Sequence, residues 1–296
     1  MWIELAVAGL AGVGIGLGWY SWFYEPYRYQ LNEQSVTVEG YDFPPLRVLQ
    51  LSDFHFVAGD ERRLRFLHDL AQTIEPVDLI LITGDLIDVD SGIDICLQAL
   101  APFEARYGIY AVFGNHDYYF VPLQHRAYLF DRPSENVRQP NDIARLAAGL
   151  EELGIKVLQN QRVEIDLPGC PLTIAGIDDP YLGRDDVAQT FAGYQKAGPC
   201  LVLSHTPDCY EQLLDYQVDM VFSGHTHGGQ VCLPGWGPLI TCIRAPRVFA
   251  QGLHQMNGTL FHNSRGLGAS PQTSFRLFCP PEANLFTVEF EKSNLT

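Results

Sequence analysis

Five times in this 296-residue chain, an apolar, strand-like run stops at a short group of metal-ligand residue types. The groups are Leu51-Ser52-Asp53-Phe54-His55, Thr83-Gly84-Asp85, Phe113-Gly114-Asn115-His116-Asp117, Leu203-Ser204-His205 and Ser223-Gly224-His225-Thr226-His227. Between them, apolar runs alternate with amphipathic stretches, the pattern of a layered α/β domain. Strands laid side by side in such a domain bring their polar ends to one rim, where ligand sites form. Asp53 and His55 stand two apart, as do His225 and His227, so each pair can point the same way from a strand end. Gly84, Gly114 and Gly224 let the chain turn sharply beside them.

The converging side chains are Asp53, Asp85, Asn115, His55, His205, His225 and His227, with His116 alongside. That is too many ligands for a single four-coordinate zinc. It matches two divalent metals sharing a carboxylate, the arrangement that clamps an in-line displacement at phosphorus. The mixture of imidazole and carboxylate suits Mn, Fe or Zn better than Mg or Ca, which take oxygen shells. One such strand end is ordinarily structural; five with matched ligand types are not independent accidents.

Composition narrows the function further. A hydrophobic content of 47% excludes intrinsic disorder. The balance of 19 basic against 35 acidic residues gives a net charge of −16, which opposes binding to long polyanions, so no nucleic-acid partner is expected. The seven cysteines contain no CxxC pair, so they read as small packing residues of a reducing compartment, not as a disulfide framework or zinc ribbon. No GxSxG elbow, P-loop or HExxH motif is present.

Strands are expected over 47–52, 78–83, 109–113, 171–177, 200–204, 219–223 and 285–290. Helices are expected over 61–74 and 141–153, the second capped by Asn141 or Asp142 and ended at Gly154. Asn257-Gly258 is a hairpin turn signal between 248–256 and 259–263. Residues 5–24 carry no charge and would span about 30 Å as a helix. Trp2 stands at one end, and Trp19, Tyr20, Trp22, Phe23 and Tyr24 crowd the other. The expectation is a retained membrane anchor over 1–25, with a cleaved signal and a packed or interfacial helix as alternatives. Gly12/Gly16 and Gly14/Gly18 are helix-pairing spacings, but the reading preferred for them is a poorly helical anchor without a partner. Arg28, the one basic residue nearby, tips a domain over 43–292 toward the cytoplasmic face of an inner membrane.

The set Asp53-x-His55, Gly84-Asp85, Gly114-Asn115-His116-Asp117, His205 and Gly224-His225-x-His227 resembles the calcineurin-like metallophosphoesterase superfamily, over about Arg47 to Phe290. The strings SGHTHGGQ (223–230), NSRGLG (263–268) and RLFCPPE (276–282) resemble a narrower branch. That branch holds bacterial membrane-associated phosphodiesterases and the lipid A pathway enzymes that cleave UDP-2,3-diacylglucosamine. The resemblance implies a four-layer αββα sandwich with the metals at the strand ends. It implies that Asp53, His55 and His227 hold one metal, Asn115, His205 and His225 the other, and Asp85 bridges both. A metal-bridging hydroxide would attack phosphorus. His116 would stabilise charge or protonate the leaving oxygen, with Asp117 orienting its ring unless Asp117 only stabilises a turn. Arg265 is a candidate for a phosphate oxygen, or else for a salt bridge. Asp178-Asp179-Pro180 either adds to the metal rim or forms a turn. The segment 118–140, rich in aromatics (Tyr118, Tyr119, Phe120, Tyr128, Phe130) and basic residues (His125, Arg126, Arg132, Arg138), reads as a substrate cap or as a membrane-contacting or surface insertion.

The function expected is hydrolysis of a phosphodiester or pyrophosphate, on a small-molecule or membrane-lipid-linked substrate such as UDP-2,3-diacylglucosamine. The alternatives are a general phosphodiesterase, a nucleotide or protein phosphatase, or a membrane-tethered metal-binding protein without turnover. The presence of both Asp85 and His116 argues against the last.

Overall fold

The computed structural model describes residues 2–122, 135–167 and 169–292. Two six-stranded sheets form its centre. The first runs, in spatial order, Gln30–Glu39, Glu282–Glu291, Leu46–Leu51, Leu79–Thr83, Ile109–Val112 and Ile155–Val157. Its strands are parallel except where Glu282–Glu291 lies antiparallel to Leu46–Leu51. The second runs Gly252–Met256, Thr259–Asn263, Met220–Ser223, Cys200–Ser204, Cys170–Ile177 and Gln161–Leu167, parallel in the middle and antiparallel at both edges.

Side-chain alternation sorts three apolar layers. Val48, Leu79 and Leu81 of the first sheet face Ile174, Leu201, Leu203 and Phe222 of the second. Leu49, Leu51, Ile80 and Ile82 point the other way, onto Leu64, Leu67, Leu146 and Leu150 of the helices Glu61–Thr73 and Ile143–Glu152. Cys200, Val202 and Val221 face outward in the second sheet, onto Val187, Phe191 and Leu213. Central strands buried on both faces must be apolar throughout, which is why Leu79–Thr83 reads as one uninterrupted run. Each fully buried Leu, Ile or Val contributes about 1.5–3 kcal/mol.

The expected elements form close to their expected bounds. The Asp142 side chain caps its helix by accepting from the Arg145 amide at 3.0 Å, and Gly154 follows the helix with a φ of 76°. Asn257 and Gly258 both have positive φ, as a tight hairpin turn requires, though the first hairpin strand begins at Gly252 because residues Arg247–Ala250 form a 3-10 turn. The Gln30–Glu39 and Gln161–Leu167 strands and the Ile93–Leu100 helix were not among the expectations.

One expectation is overturned. Trp2–Phe23 is a helix, but among the described residues no helix is long and apolar enough to cross a membrane; the membrane-spanning helix expected over 1–25 is not supported, and the inner-membrane placement drawn from it is overturned. The aromatic end of this helix docks on the domain. Ser21 is buried and its carbonyl accepts from the Arg276 amide at 2.9 Å, while the Trp22 and Phe275 rings lie 5.3 Å apart. Just beyond the helix, buried Glu25 accepts from the amides of Phe278 and Cys279 at 2.8 and 2.5 Å.

Candidate metal centre

The strand ends do converge, and the backbone bends hard to make them do so. Asp53, His55, Asp85, His225 and His227 all lie in the left-handed region, with φ of 52°, 48°, 52°, 71° and 50°. Non-glycine residues seldom adopt it, and each such residue costs on the order of 1 kcal/mol or more unless its surroundings hold it there. Here the ends hold one another. The Asp53 amide donates to the Gly84 carbonyl at 2.9 Å, the His55 amide to the Asp85 carbonyl at 2.9 Å, and the Gly224 amide to the His205 carbonyl at 2.9 Å. The His225 amide donates to Asp53 Oδ1 at 2.9 Å and the His116 amide to Asp85 Oδ1 at 2.8 Å. Packing is so close that a Cβ on Gly114 would lie 2.3 Å from Asp85 Oδ1, and one on Gly224 2.1 Å from Ser52 Oγ.

Three clusters of ligand atoms result among the described residues: His55, Asp88 and His116 form one, and the other two share Asp85. Of those two, one joins Asp53, His55, Asp85 and His227; the other joins Asp85, His205 and His225. Asp85 Oδ2 belongs to both, at 3.3 Å from His55 Nε2 and 3.3 Å from His205 Nε2. His227 Nε2 approaches His55 Nε2 to 3.2 Å, and His225 Nδ1 approaches His205 Nε2 to 3.2 Å. His205 Nδ1 lies 2.8 Å from the Thr83 carbonyl, which can only accept, so Nε2 is the nitrogen presented to the cluster. Asn115 Oδ1, His225 Nε2 and His227 Nδ1 are buried without a protein partner. Imidazole nitrogens facing each other, a shared carboxylate and orphaned donor atoms together fit a pair of divalent cations.

Burial opposes charge on every group here, and the ion pairs decide which groups keep it. Burial would raise the Asp85 carboxyl, but His205, His116 and His55 hold it well below the usual carboxylate range. Burial pulls the His55 imidazole down, yet Asp85 and then Asp88 outweigh it and carry it up to about 9. His205 is likewise raised by Asp85 against its burial. His225 is pushed down to about 3 by burial and then by His205; His227 is lowered by burial and then by His55. His55 and His205 are thus biased toward the protonated form beside Asp85, and His225 and His227 toward the neutral form that binds metal, so metal loading at the first pair works against protons.

His116 stands at the edge, its side chain 20% exposed, its ring 4.6 Å from that of His55. Its Nδ1 lies 3.1 Å from Asp88 Oδ1. The expected orientation of this ring by Asp117 is not what the structure shows. Fully buried Asp117 instead accepts from the amides of Leu86, Ile87 and Gly114 at 2.7, 3.1 and 2.8 Å, pinning the loop after Asp85 to the loop that carries His116. The carboxylate facing the ring is Asp88, which also lies 3.3 Å from His55 Nδ1 and accepts from Ser270 Oγ at 2.6 Å. Asp88 was absent from the expected set; its signal is the spacing Gly84-Asp85-x-x-Asp88.

Arg265 makes the salt bridge that was the second of its two expected readings. Its guanidinium is paired with Glu282, which accepts from Nε at 2.6 Å and from the Arg265 amide at 3.0 Å. Asp178 and Asp179 form a turn: Asp179 accepts from the amides of Tyr181 and Leu182 at 3.1 Å, and Asp178 accepts from the Tyr118 hydroxyl at 2.6 Å. In the segment 118–140, Tyr119 and Phe120 pair with Gln139 and Pro140, and Arg138 lies over the Tyr119 ring at 4.7 Å. His125, Arg126, Tyr128, Phe130 and Arg132 lie outside the described residues.

A layered α/β domain carrying a paired His/Asp cluster at its strand ends defines a metal-dependent hydrolase. Residues 46–229 match the family model of the calcineurin-like phosphoesterases, and the chain belongs to that family. It is 32% identical over 282 residues to the uncharacterized metallophosphoesterase YkoQ of Bacillus subtilis (89% of this chain, 95% of that one). It is 28% identical to the phosphodiesterase YaeI of Escherichia coli, over 96% of each chain. It is 27% identical to the UDP-2,3-diacylglucosamine pyrophosphatase LpxG of Chlamydia muridarum, over 83% of this chain and 84% of that one. The protein is therefore a metal-dependent phosphoester hydrolase.

Proposed function

We propose that the protein hydrolyses a phosphodiester or pyrophosphate bond at a centre for two divalent cations, Mn, Fe or Zn. The observation that carries this reading is Asp85, whose single carboxylate reaches both histidine clusters at 3.3 Å. Asp53, His55 and His227 would hold one ion, Asn115, His205 and His225 the other, and Asp85 both. Such ions, when bound, supply positive charge for the phosphoryl oxygens and acidity for the attacking water.

The chain's own residues do the rest. Amides of His225 and His116 fix the two carboxylates Asp53 and Asp85, so neither must reorganise when charge develops on the substrate. Asp88 Oδ1 lies 3.1 Å from His116 Nδ1, so its charge faces that edge of the ring and leaves Nε2 to present a proton to the leaving oxygen. Asp117 acts through the backbone, holding the loop that aims His116.

For the substrate, the most concrete candidate is UDP-2,3-diacylglucosamine, on the strength of the similarity to a pyrophosphatase of that compound. A general phosphodiesterase is the second reading, favoured by the similarity to YaeI. The test is hydrolysis of UDP-2,3-diacylglucosamine beside bis-(p-nitrophenyl) phosphate by the manganese-loaded protein, followed by phosphorus NMR. UMP release far faster than nitrophenol release supports the lipid-linked pyrophosphate. Turnover of the diester alone supports the second reading, and turnover of neither with metal bound removes both substrates.

A further inference from the structure

His227 stands on an unusual turn. It and the next three residues, Gly228, Gly229 and Gln230, have φ of 50°, 62°, 76° and 56°, four left-handed positions in succession. Such a turn is held only if its carbonyls and amides find partners. Two of those partners are thiols. Cys279 Sγ donates to the His227 carbonyl at 3.2 Å, and Cys232 Sγ donates to the Gly228 carbonyl at 3.2 Å. A Cβ on Gly228 would lie 2.8 Å from Cys279 Sγ, so the sulfur fills the space under the turn.

The two cysteines come from segments fixed side by side. The Cys232 amide donates to the Leu277 carbonyl at 2.9 Å, and Val231 bridges to Leu277. Both sulfur atoms converge on one carbonyl: Cys232 Sγ lies 3.2 Å and Cys279 Sγ 3.6 Å from the Gly228 oxygen. Both are free thiols. Arg265 lies beside them, and Arg276, itself fully buried, donates to the Cys279 carbonyl at 3.1 Å. Neither cysteine has a part in the hydrolysis described above.

We propose that Cys232 and Cys279 are an oxidation site for a hydroperoxide, and that their disulfide releases the turn that carries His227. Cys232 sulfur, 6% exposed where Cys279 is fully buried, gives up its proton and attacks a peroxide oxygen; the O–O bond breaks and an alcohol or water leaves. The resulting Cys232 sulfenic acid is attacked by Cys279 sulfur; the S–S bond forms, the S–O bond breaks and water leaves. Two electrons pass from the thiols to the peroxide, and the two thiol hydrogens end on its two oxygens. A disulfide has no S–H, so the His227 and Gly228 carbonyls both lose these donors. The consequence for metal rests on the reading of His227 as a ligand.

The test uses the full chain loaded with manganese, treated with hydrogen peroxide and analysed by peptide mass spectrometry and by metal content after desalting. The expected result is a linked Cys232–Cys279 peptide, manganese retention weakened about tenfold or more, and recovery on reduction with dithiothreitol. Cys232→Ser, which keeps a hydroxyl donor, is expected to hold manganese through the same treatment; Cys279→Ser serves equally should the first variant fold poorly. Absence of the linked peptide overturns the proposal, as does a linked peptide with unchanged retention, or equal metal loss from the serine variants. Reduced protein that binds no manganese would instead overturn the metal-centre reading, and the linked peptide would then judge the thiol pair alone.

Discussion

Asp88 Oδ1 lies 3.1 Å from His116 Nδ1, and the same oxygen lies 3.3 Å from His55 Nδ1. One carboxylate thus faces both an expected metal ligand and the expected proton donor. Burial would raise it, but its contacts to His116 and His55 hold it far below the ordinary carboxylate range. Asp88→Asn is expected to lower turnover about 10–100-fold. His116→Ala is expected to lower it about 10²–10⁴-fold with metal content unchanged. If Asp88 acts through His116, the double variant is no slower than His116→Ala alone; additive losses in kcat would assign Asp88 an independent role. Loss of metal from His116→Ala would make it a ligand.

Asp85→Ala removes the carboxylate common to both clusters. Its expected effect is loss of both metals, read by elemental analysis, together with activity. Asp53→Ala is expected to weaken one ion more than the other. Retention of one full equivalent by Asp85→Ala would contradict bridging.

The glycine at the strand end is as restrictive as the ligands. A Cβ on Gly224 would lie 2.1 Å from Ser52 Oγ and 2.3 Å from Asp53 Oδ2, and Ser52 itself donates to Asp53 Oδ2 at 2.5 Å. Gly224→Ala must therefore displace Asp53, and is expected to weaken manganese binding at least tenfold and to lower the melting temperature. Gly14→Ala, with nothing within 4 Å of the added methyl and a helical position, is the control. It is expected to leave binding unchanged and to raise helix stability by up to about 1 kcal/mol. Equal behaviour of the two variants in a metal titration would show that the close packing at Gly224 is without consequence.

What was legible in the chain was local. Ligand identity and spacing sit within five residues of each strand end, so Asp53, His55, Asp85, His205, His225 and His227 could be read together before any contact was known. What failed depends on partners distant in sequence. Arg265 is taken by Glu282, 17 residues on, and Asp117, next to His116 in sequence, turns its carboxylate to the amides of another loop. The Gln30–Glu39 strand was invisible because Gln30, Asn32 and Gln34 break the apolar alternation; it lies at the edge of its sheet, where one row of backbone groups and much side-chain surface stay exposed. The apolar stretch 5–24 misled because hydropathy does not report docking, and Glu25 just beyond it is held by amides some 250 residues away.

Beneath the metal centre, between the sheets, lies a buried histidine that sets a pH limit of its own. His262 Nδ1 is 2.6 Å from Gln50 Oε1, while Gln50 Nε2 donates to the Ser223 carbonyl at 2.9 Å and to Thr83 Oγ1 at 3.2 Å. The Ser223 carbonyl fixes the amide's orientation, so Oε1 faces the ring and Nδ1 carries the proton of a neutral imidazole. Burial pushes His262 down to about 4, against a partial opposing pull from Glu282. The folded value lies below the unfolded value of about 6.5, so between these limits the unfolded chain binds the extra proton. The contribution is complete above pH 6.5 and is lost as pH falls toward 4, by about 3 kcal/mol in all. In denaturant unfolding of the metal-free protein, His262→Gln is expected to be less stable at pH 7 and to lose less stability between pH 6.5 and 4 than the parent chain. The difference between the two curves isolates this residue from His225 and His227, whose depressed values act with the same sign, and from His55 and His205, whose raised values act with the opposite one. Parallel curves, or an imidazole resonance of His262 that titrates near 6.5 in the folded protein, would show that the Gln50 pairing does not hold the ring neutral.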